Sequence, residues 1–363
     1  MKIATVIGAR PQFIKAAPVS RTLSATSGLE EVVVDTGQHY DWEMSTVFFE
    51  EFDIPKPAYH LGIGGGSHGQ NTGRMLEGVE TVLHEEKPDV VLVYGDTDST
   101  LAGALAAAKM RIPIAHVEAG LRSYNRRMPE ELNRVLTDQL STVLFCPTSA
   151  SVANLQKEGF PHPTSQQDRQ RIVHVGDVMY DAALQMSDLA ERKRALLKTL
   201  QLRSKEFILS TVHRAENTDQ PSILRYIMDA LAESAEELPV VLSLHPRTRK
   251  RLDAEGIRLS DRITVTQPLG YLDLVMLVKH AAVVATDSGG LQKEAFFHGT
   301  PCVTLREETE WVELLEMGWN RLAPPTEPDM TKRILEAVGS RGVPGTPYGN
   351  GDASKKIVDI LTE

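Results

Sequence analysis

Short apolar runs of strand length alternate with segments of helical spacing along the whole chain, and few folds accommodate that pattern. The runs read KIATVIG, EVVVDTG, DVVLVYG, IPIAHVE, TVLFCP and IVHVG, then FILSTV, VVLSLH, RITVT, AVVAT and TPCVTL. Between most of them lie helical segments such as TLAGALAAAKM and SILRYIMDALAESAEEL. Strand–helix alternation builds parallel sheets with helices on both faces, an α/β class. Runs this rich in Val, Ile and Leu fit strands covered on both sides. There are too many strands for one comfortable sheet. The polar, proline-containing stretch PHPTSQQDRQR (161–171) is the best dividing point. It predicts two doubly wound domains, 1–165 and 172–346, with a cleft between them. Residues 347–363 hold an amphipathic helix, ASKKIVDILTE, that can cross back onto the first domain.

Composition narrows the function. With 363 residues, 41% apolar and 24% charged, the chain has the make-up of an ordinary soluble globular protein. No apolar run is long enough to span a bilayer, and MKIATVIGARPQ lacks the apolar length and cleavage site of a signal peptide. A cytoplasmic protein without membrane partners is expected. Cys146 and Cys302 each adjoin a proline at the end of an apolar run and read as buried free thiols in a reducing compartment. No Cys/His spacing suits zinc, so no metal is expected. The net charge of −10 argues against nucleic acid as a partner. It does not exclude a small phosphorylated ligand, which feels local donors more than net charge.

Three motifs gather carboxylates. GDTDST, HVEAGLR and MPEELNR contribute Asp96, Glu118 and Glu130. Asp96 and Glu118 end apolar runs, at the rim of a parallel sheet where ligands bind. Carboxylates on one rim suit acid–base or cation-stabilising chemistry. Asp96 could instead cap the next helix, but Asp98 is better placed for that. His116 and Glu118 alternate along a strand, which predicts a shared face. Glu130 opens a helix after Pro129, and an ion pair with Arg134 at i+4 is the plainer reading of both.

Other motifs suit an anion. In GARPQFIK, Arg10 and Lys15 lie near a helix N-terminus, with Pro11 in its first turn. HRAEN places His213 after a strand, as SLHPRTRK places His245. In TDSGGLQKE, Ser288, Gly289 and Gly290 join a strand to a helix, so backbone amides can approach an oxygen closely. Glu294, one turn on, could accept two ribose hydroxyls. GIGGGSHG (62–69) reads as a surface loop, with a lid as the alternative. No G-x-G-x-x-G follows any strand, which argues against a bound nicotinamide; no cofactor is expected.

GARPQFIK, GDTDST, HVEAGLR, PEELNR, HRAEN, TDSGGLQKE, TEWVE and PYGNGDAS occur in this order from residue 8 to 354. The ordered set resembles the non-hydrolysing UDP-N-acetylglucosamine 2-epimerases. The resemblance implies a GT-B-type fold of two Rossmann-like domains that close on a nucleotide sugar. It implies interconversion of UDP-GlcNAc and UDP-ManNAc through loss and return of UDP and a 2-acetamidoglycal. Asp96, Glu118, Glu130 and His213 then match catalytic residues. Arg10, Lys15 and Arg134 match cations around the substrate, and His245, Ser288, Gly289, Gly290 and Glu294 match the UDP side. A homodimer is the expected assembly. Gly8-Ala9-Arg10-Pro11-Gln12 and Gln38-His39-Tyr40-Asp41-Trp42 depart from the common bacterial pattern, where the second region helps bind an activating nucleotide sugar. SYNRRMPEE, TEWVELLEMGWN and VGDVMYDA look more like the branch acting on UDP-2,3-diacetamido-2,3-dideoxyglucuronic acid, the alternative substrate. A glycosyltransferase of the same fold is a more remote alternative.

Overall fold

The structure, a computed structural model, describes residues 1–38, 56–162 and 170–363, with the backbone alone at Arg10 and Asp188. Positions 39–42, where the sequence departs from the bacterial pattern, and part of the 161–171 stretch lie outside the described residues. The chain forms two compact units, one of Met1–Leu184 with Thr346–Glu363 and one of Gln185–Gly345. No described helix is long and apolar enough to cross a membrane.

The first unit is built on β1 (Lys2–Ile7), β2 (Glu30–Asp35), β3 (Tyr59–His60), β4 (Val90–Tyr94), β5 (Ile114–Val117), β6 (Val143–Cys146) and β7 (Arg171–His174). They form a seven-stranded sheet in the order β3-β2-β1-β4-β5-β6-β7. The second unit holds β8 (Ile208–Thr211), β9 (Val240–Ser243), β10 (Ile263–Thr266), β11 (Val283–Thr286), β12 (Cys302–Thr304) and β13 (Asn320–Leu322). Their order is β10-β9-β8-β11-β12-β13. Every described pairing is parallel. The expected pair of doubly wound, Rossmann-like units is therefore the fold observed. In each sheet the strand order reverses once, between β1 and β4 and between β8 and β11. Ligands of such sheets bind beyond the strand ends at that reversal.

The boundary differs from the expected one. β7 pairs with β6, Val143 opposite Arg171 and Cys146 opposite His174, so the chain stays with the first sheet past residue 172. The unit changes inside helix Val178–Glu191. Helix Ala353–Leu361 packs on helix Arg10–Ala25. Asp181 fixes its start by accepting Ala353 N at 3.2 Å, Ser354 N at 2.8 Å and Ser354 Oγ at 2.7 Å.

Small residues set the packing of the first unit. Helix Asp98–Lys109 buries Ala102, Gly103, Ala104, Ala106 and Ala107, and a Cβ at Gly103 would lie only 3.0 Å from Val6 Cγ1. The helix consequently lies close on β1 and β4, whose Val6, Val91 and Val93 are buried. In the second unit Leu224, Ile227 and Leu231 of helix Pro221–Ser234 pack in the core with Ile208, Val240 and Leu242 of the sheet. Cys146 and Cys302 are buried free thiols; burial pushes Cys146 up to about 12 and Cys302 higher still.

Candidate active site

The first unit's reversal point is organised by Gln12. Its Oε1 accepts from the backbone N–H of Gly8 at 2.9 Å and of Ala9 at 3.0 Å. Its Nε2 donates to Tyr94 O and Thr100 Oγ1, both at 3.0 Å. The turn after β1 is thereby tied to the end of β4. One turn into the helix, Lys15 Nζ lies 2.5 Å from Glu118 Oε1, with both side chains buried. Gly95 leaves room beside the pair: its φ is +64°, and a Cβ there would lie 3.1 Å from Lys15 Nζ and 3.4 Å from Glu118 Oε1.

Glu118 does not continue β5. The strand ends at Val117, and Glu118 has φ +72°, a left-handed conformation costly for a side chain with a Cβ. The strand alternation expected to align it with His116 therefore stops one residue short. His116 is fully buried, with Nε2 2.7 Å from Gly95 O and Nδ1 2.7 Å from Asp138 Oδ1. Asp138 also accepts from Arg122 Nη1 at 2.7 Å and Gly120 N at 3.2 Å, and Arg122 forks onto Glu158 at 2.7 and 2.8 Å. Burial alone would push the Asp138 carboxyl up; the His116 bond and charge and then Arg122 hold it below the ordinary carboxylate range. Carbonyl and carboxylate oxygens only accept, so both His116 nitrogens carry hydrogen. The network fixes the backbone on either side of Glu118 and the carbonyl just before Asp96.

Asp96 is half-buried and pairs with Arg134 through Nε at 3.2 Å and through Nη2. Arg134 Nη1 donates to Glu131 Oε2 at 2.7 Å, an i,i+3 pair beside the i+4 spacing to Glu130. Glu131 is the more connected acid of Pro129–Leu140. It accepts Ser123 N at 3.0 Å, Ser123 Oγ at 3.1 Å and Tyr124 N at 3.0 Å, holding the SYNRRM loop to the helix that carries half-buried Glu130. The helix after β4 is capped by Thr97, whose side chain accepts from Thr100 N, and not by Asp98. The Asp98 carboxylate is taken instead by Asn133 Nδ2 at 3.1 Å and His68 Nδ1 at 2.8 Å. His68 opens helix His68–Glu86 behind the Ser67 cap, so the 62–69 stretch is anchored to the GDTDST turn at its far end.

In the second unit His213 and His245 follow β8 and β9. Their rings lie 5.7 Å apart. Asp287, just past β11, accepts from the backbone N–H of His213 and Arg214, both at 2.9 Å. Ser288 caps helix Gly289–Phe297, accepting from Leu291 N. A Cβ at Gly289 would lie 2.6 Å from Glu310 Oε1, which is why the turn needs glycine there. Glu310 is bound by buried Arg306 Nη1 at 2.9 Å, and buried Lys293 sits 4.0 Å over the Trp311 ring. Glu294 is 4% exposed, so it is not a solvated helix carboxylate.

Each unit thus gathers its own share of the expected residues: Lys15, Asp96, Glu118, Glu130 and Arg134 in the first; His213, His245, Ser288, Gly289, Gly290 and Glu294 in the second. The Arg10 side chain lies outside the described residues. Glu131, Asp138, Arg122 and Asp287 were not singled out by the sequence. Their signal was their place within or beside MPEELNR, HVEAGLR and TDSGG.

Comparisons with known proteins agree with this fold. The family model described as UDP-N-acetylglucosamine 2-epimerase matches residues 21–362. A UDP-2,3-diacetamido-2,3-dideoxy-D-glucuronate 2-epimerase of Pseudomonas aeruginosa is 50% identical over all of both chains. A UDP-N-acetylglucosamine 2-epimerase homolog of Methanococcus maripaludis is 48% identical over 99% of each. The crystal structure of Methanocaldococcus jannaschii UDP-GlcNAc 2-epimerase with UDP-GlcNAc and UDP superposes with a TM-score of 0.91, at 41% identity, over 100% of this chain and 99% of that one. The chain is an isomerase of the UDP-N-acetylglucosamine 2-epimerase family.

Proposed function

We propose that this enzyme inverts C2 of UDP-2,3-diacetamido-2,3-dideoxy-D-glucuronate by elimination and re-addition of UDP. The observation that carries this substrate is the 50% full-length identity to the Pseudomonas aeruginosa enzyme of that name. UDP-GlcNAc, to which the ordered motifs first point, is the second reading. It is supported by the 0.91 TM-score to the Methanocaldococcus jannaschii enzyme, at the lower identity of 41%.

No carbonyl flanks C2, so its proton is not acidic in the ground state. As the C1–O bond to UDP lengthens, C1 becomes cationic and the C2–H bond acidic. A carboxylate takes the proton, C1 and C2 become doubly bonded, and UDP departs with the electrons of the C1–O bond. Protonation of the opposite face and return of UDP complete the inversion. In this reading Asp96, Glu118 and Glu130 serve proton transfer and cation stabilisation, with Arg134 paired to Asp96 and Lys15 to Glu118. His213, His245 and the amides of Ser288–Gly290 receive the diphosphate, and Glu294 the ribose. The active form in this reading is a homodimer.

Two measurements test the reading. Turnover in heavy water, with no nicotinamide added, is expected to place deuterium at C2 of the product. Full protium there, with nicotinamide released on denaturation, rejects elimination. Incubation with each UDP-sugar alone is expected to give faster epimerisation of the diacetamido-uronate. Arg126 and Arg127 are exposed on the loop held by Glu131 and suit a C6 carboxylate. Arg126→Ala or Arg127→Ala is expected to impair the uronate alone; equal loss on both sugars removes these arginines from substrate choice.

A further inference from the structure

A carboxylate within TDSGG organises the second unit's reversal point. Asp287 has no exposed surface. Its Oδ2 accepts His213 N and Arg214 N at 2.9 Å each and Asn217 Nδ2 at 3.1 Å. Its Oδ1 lies 3.1 Å from His213 Nδ1. Burial alone would push this carboxyl up, but the His213 charge and side-chain bond, with the two backbone amides, hold it below the ordinary range. An ionised carboxylate offers only lone pairs. His213 Nδ1 must therefore carry hydrogen, and Nε2 is the atom left to meet a ligand. The ring is 35% exposed, so that atom is within reach of one.

The neighbouring histidine is set the other way. His245 Nδ1 accepts from Arg247 N at 3.1 Å, which puts the hydrogen of the neutral ring on Nε2. The two rings lie side by side, tilted by 36°.

We propose that Asp287 is the positioning residue of His213, fixing its Nδ1–H tautomer so that Nε2 exchanges a proton with the departing diphosphate. The proposal rests on the elimination reading given above. When the C1–O bond breaks, its electron pair stays on the β-phosphate oxygen. The proton on His213 Nε2 passes to that oxygen, and the ring is left neutral with hydrogen on Nδ1. Re-addition runs the same transfer backwards. Asp287 faces the ring throughout and balances its charge when Nε2 is protonated, as the buried aspartate does in serine hydrolases.

Nitrogen-15 NMR of the intact, histidine-labelled enzyme tests the tautomer without turnover, the His213 signals being assigned by their loss in His213→Asn. The neutral His213 ring is expected to show hydrogen on Nδ1, and that of His245 on Nε2. Hydrogen on Nε2 of neutral His213 overturns the proposal, whatever the enzyme's substrate. In turnover, Asp287→Asn is expected to lower kcat by at least about 10-fold and by up to about 10⁴-fold, the loss when the aspartate behind a serine-hydrolase histidine becomes an amide, with KM little changed. In the His213→Asn background, the same change is expected to cost nothing further. Costs that multiply would assign Asp287 to the fold alone and overturn the proposal. If Asp287→Asn does not fold, the wild-type spectrum decides. Failure of the elimination reading shows separately, as protium at C2 in heavy water.

Discussion

Glu118→Gln is expected to lower turnover at least about 100-fold, the lower range for a group in proton transfer or charge stabilisation. The amide keeps the shape of the side chain and can still accept a bond from Lys15, 2.5 Å away in the wild type. It carries no charge and binds no proton, and buried Lys15 then has lost this counter-charge. Asp96→Asn and Glu130→Gln are expected to fall in the same range. For Asp96 the change also removes the anion paired with Arg134. Nucleotide-sugar affinity should change much less, because the proposed diphosphate and ribose partners are other residues. Single-turnover kinetics with product separation, beside direct binding, reads both quantities. Near-normal turnover of Glu118→Gln would remove Glu118 from the chemistry.

Asp138→Asn is expected to cost about 3–5 kcal/mol of folding free energy, the usual penalty for removing one partner of a buried ion pair. His116 and Arg122 would both lose a counter-charge at positions almost without solvent. The sign with pH follows from the depressed carboxyl. The unfolded-state pKa is about 3.9, so the stabilisation is complete above roughly that pH and is lost as pH falls through the lower folded value. Wild type should therefore lose this contribution only in acid, and the variant should lack it at neutral pH. Denaturant unfolding followed by circular dichroism measures the loss, and hydrogen exchange should locate it in Met1–Leu184. A change under about 0.5 kcal/mol, the scale of an ordinary surface substitution, would show that the network is not structural.

Much of this was written in the sequence where burial leaves a simple trace. Central strands such as VVLVY and VVAT are covered on both faces, so their apolar runs are unbroken and easily seen. Edge strands leave less: Tyr59–His60 is too short to show a pattern, and Arg171–His174 is exposed at both ends. The run IVHVG is legible as a strand, but the polar stretch before it suggests a break there, whereas pairing with Val143–Cys146 keeps it in the first sheet. Cap identity at Thr97 and the left-handed turn at Glu118 were hidden for another reason. Each depends on partners far along the chain: Asn133 and His68 draw the Asp98 carboxylate away, while Lys15 meets Glu118 across the reversal point. Motif order points to the candidate acids, but not to the residues that hold them. Asp138 and Asp287 work through contacts between distant segments, which spacing along one segment does not reveal.

The return of Thr346–Glu363 to the first unit has a consequence for synthesis. Helix Ala353–Leu361 covers helix Arg10–Ala25, yet it leaves the ribosome only after the whole of Gln185–Gly345. A nascent chain can form its first sheet early, but the flank of its first helix stays uncovered until the second unit has emerged. The unit that carries Asp96, Glu118 and Glu130 is thus begun first and finished last, and its maturation waits on the unit that carries His213 and His245.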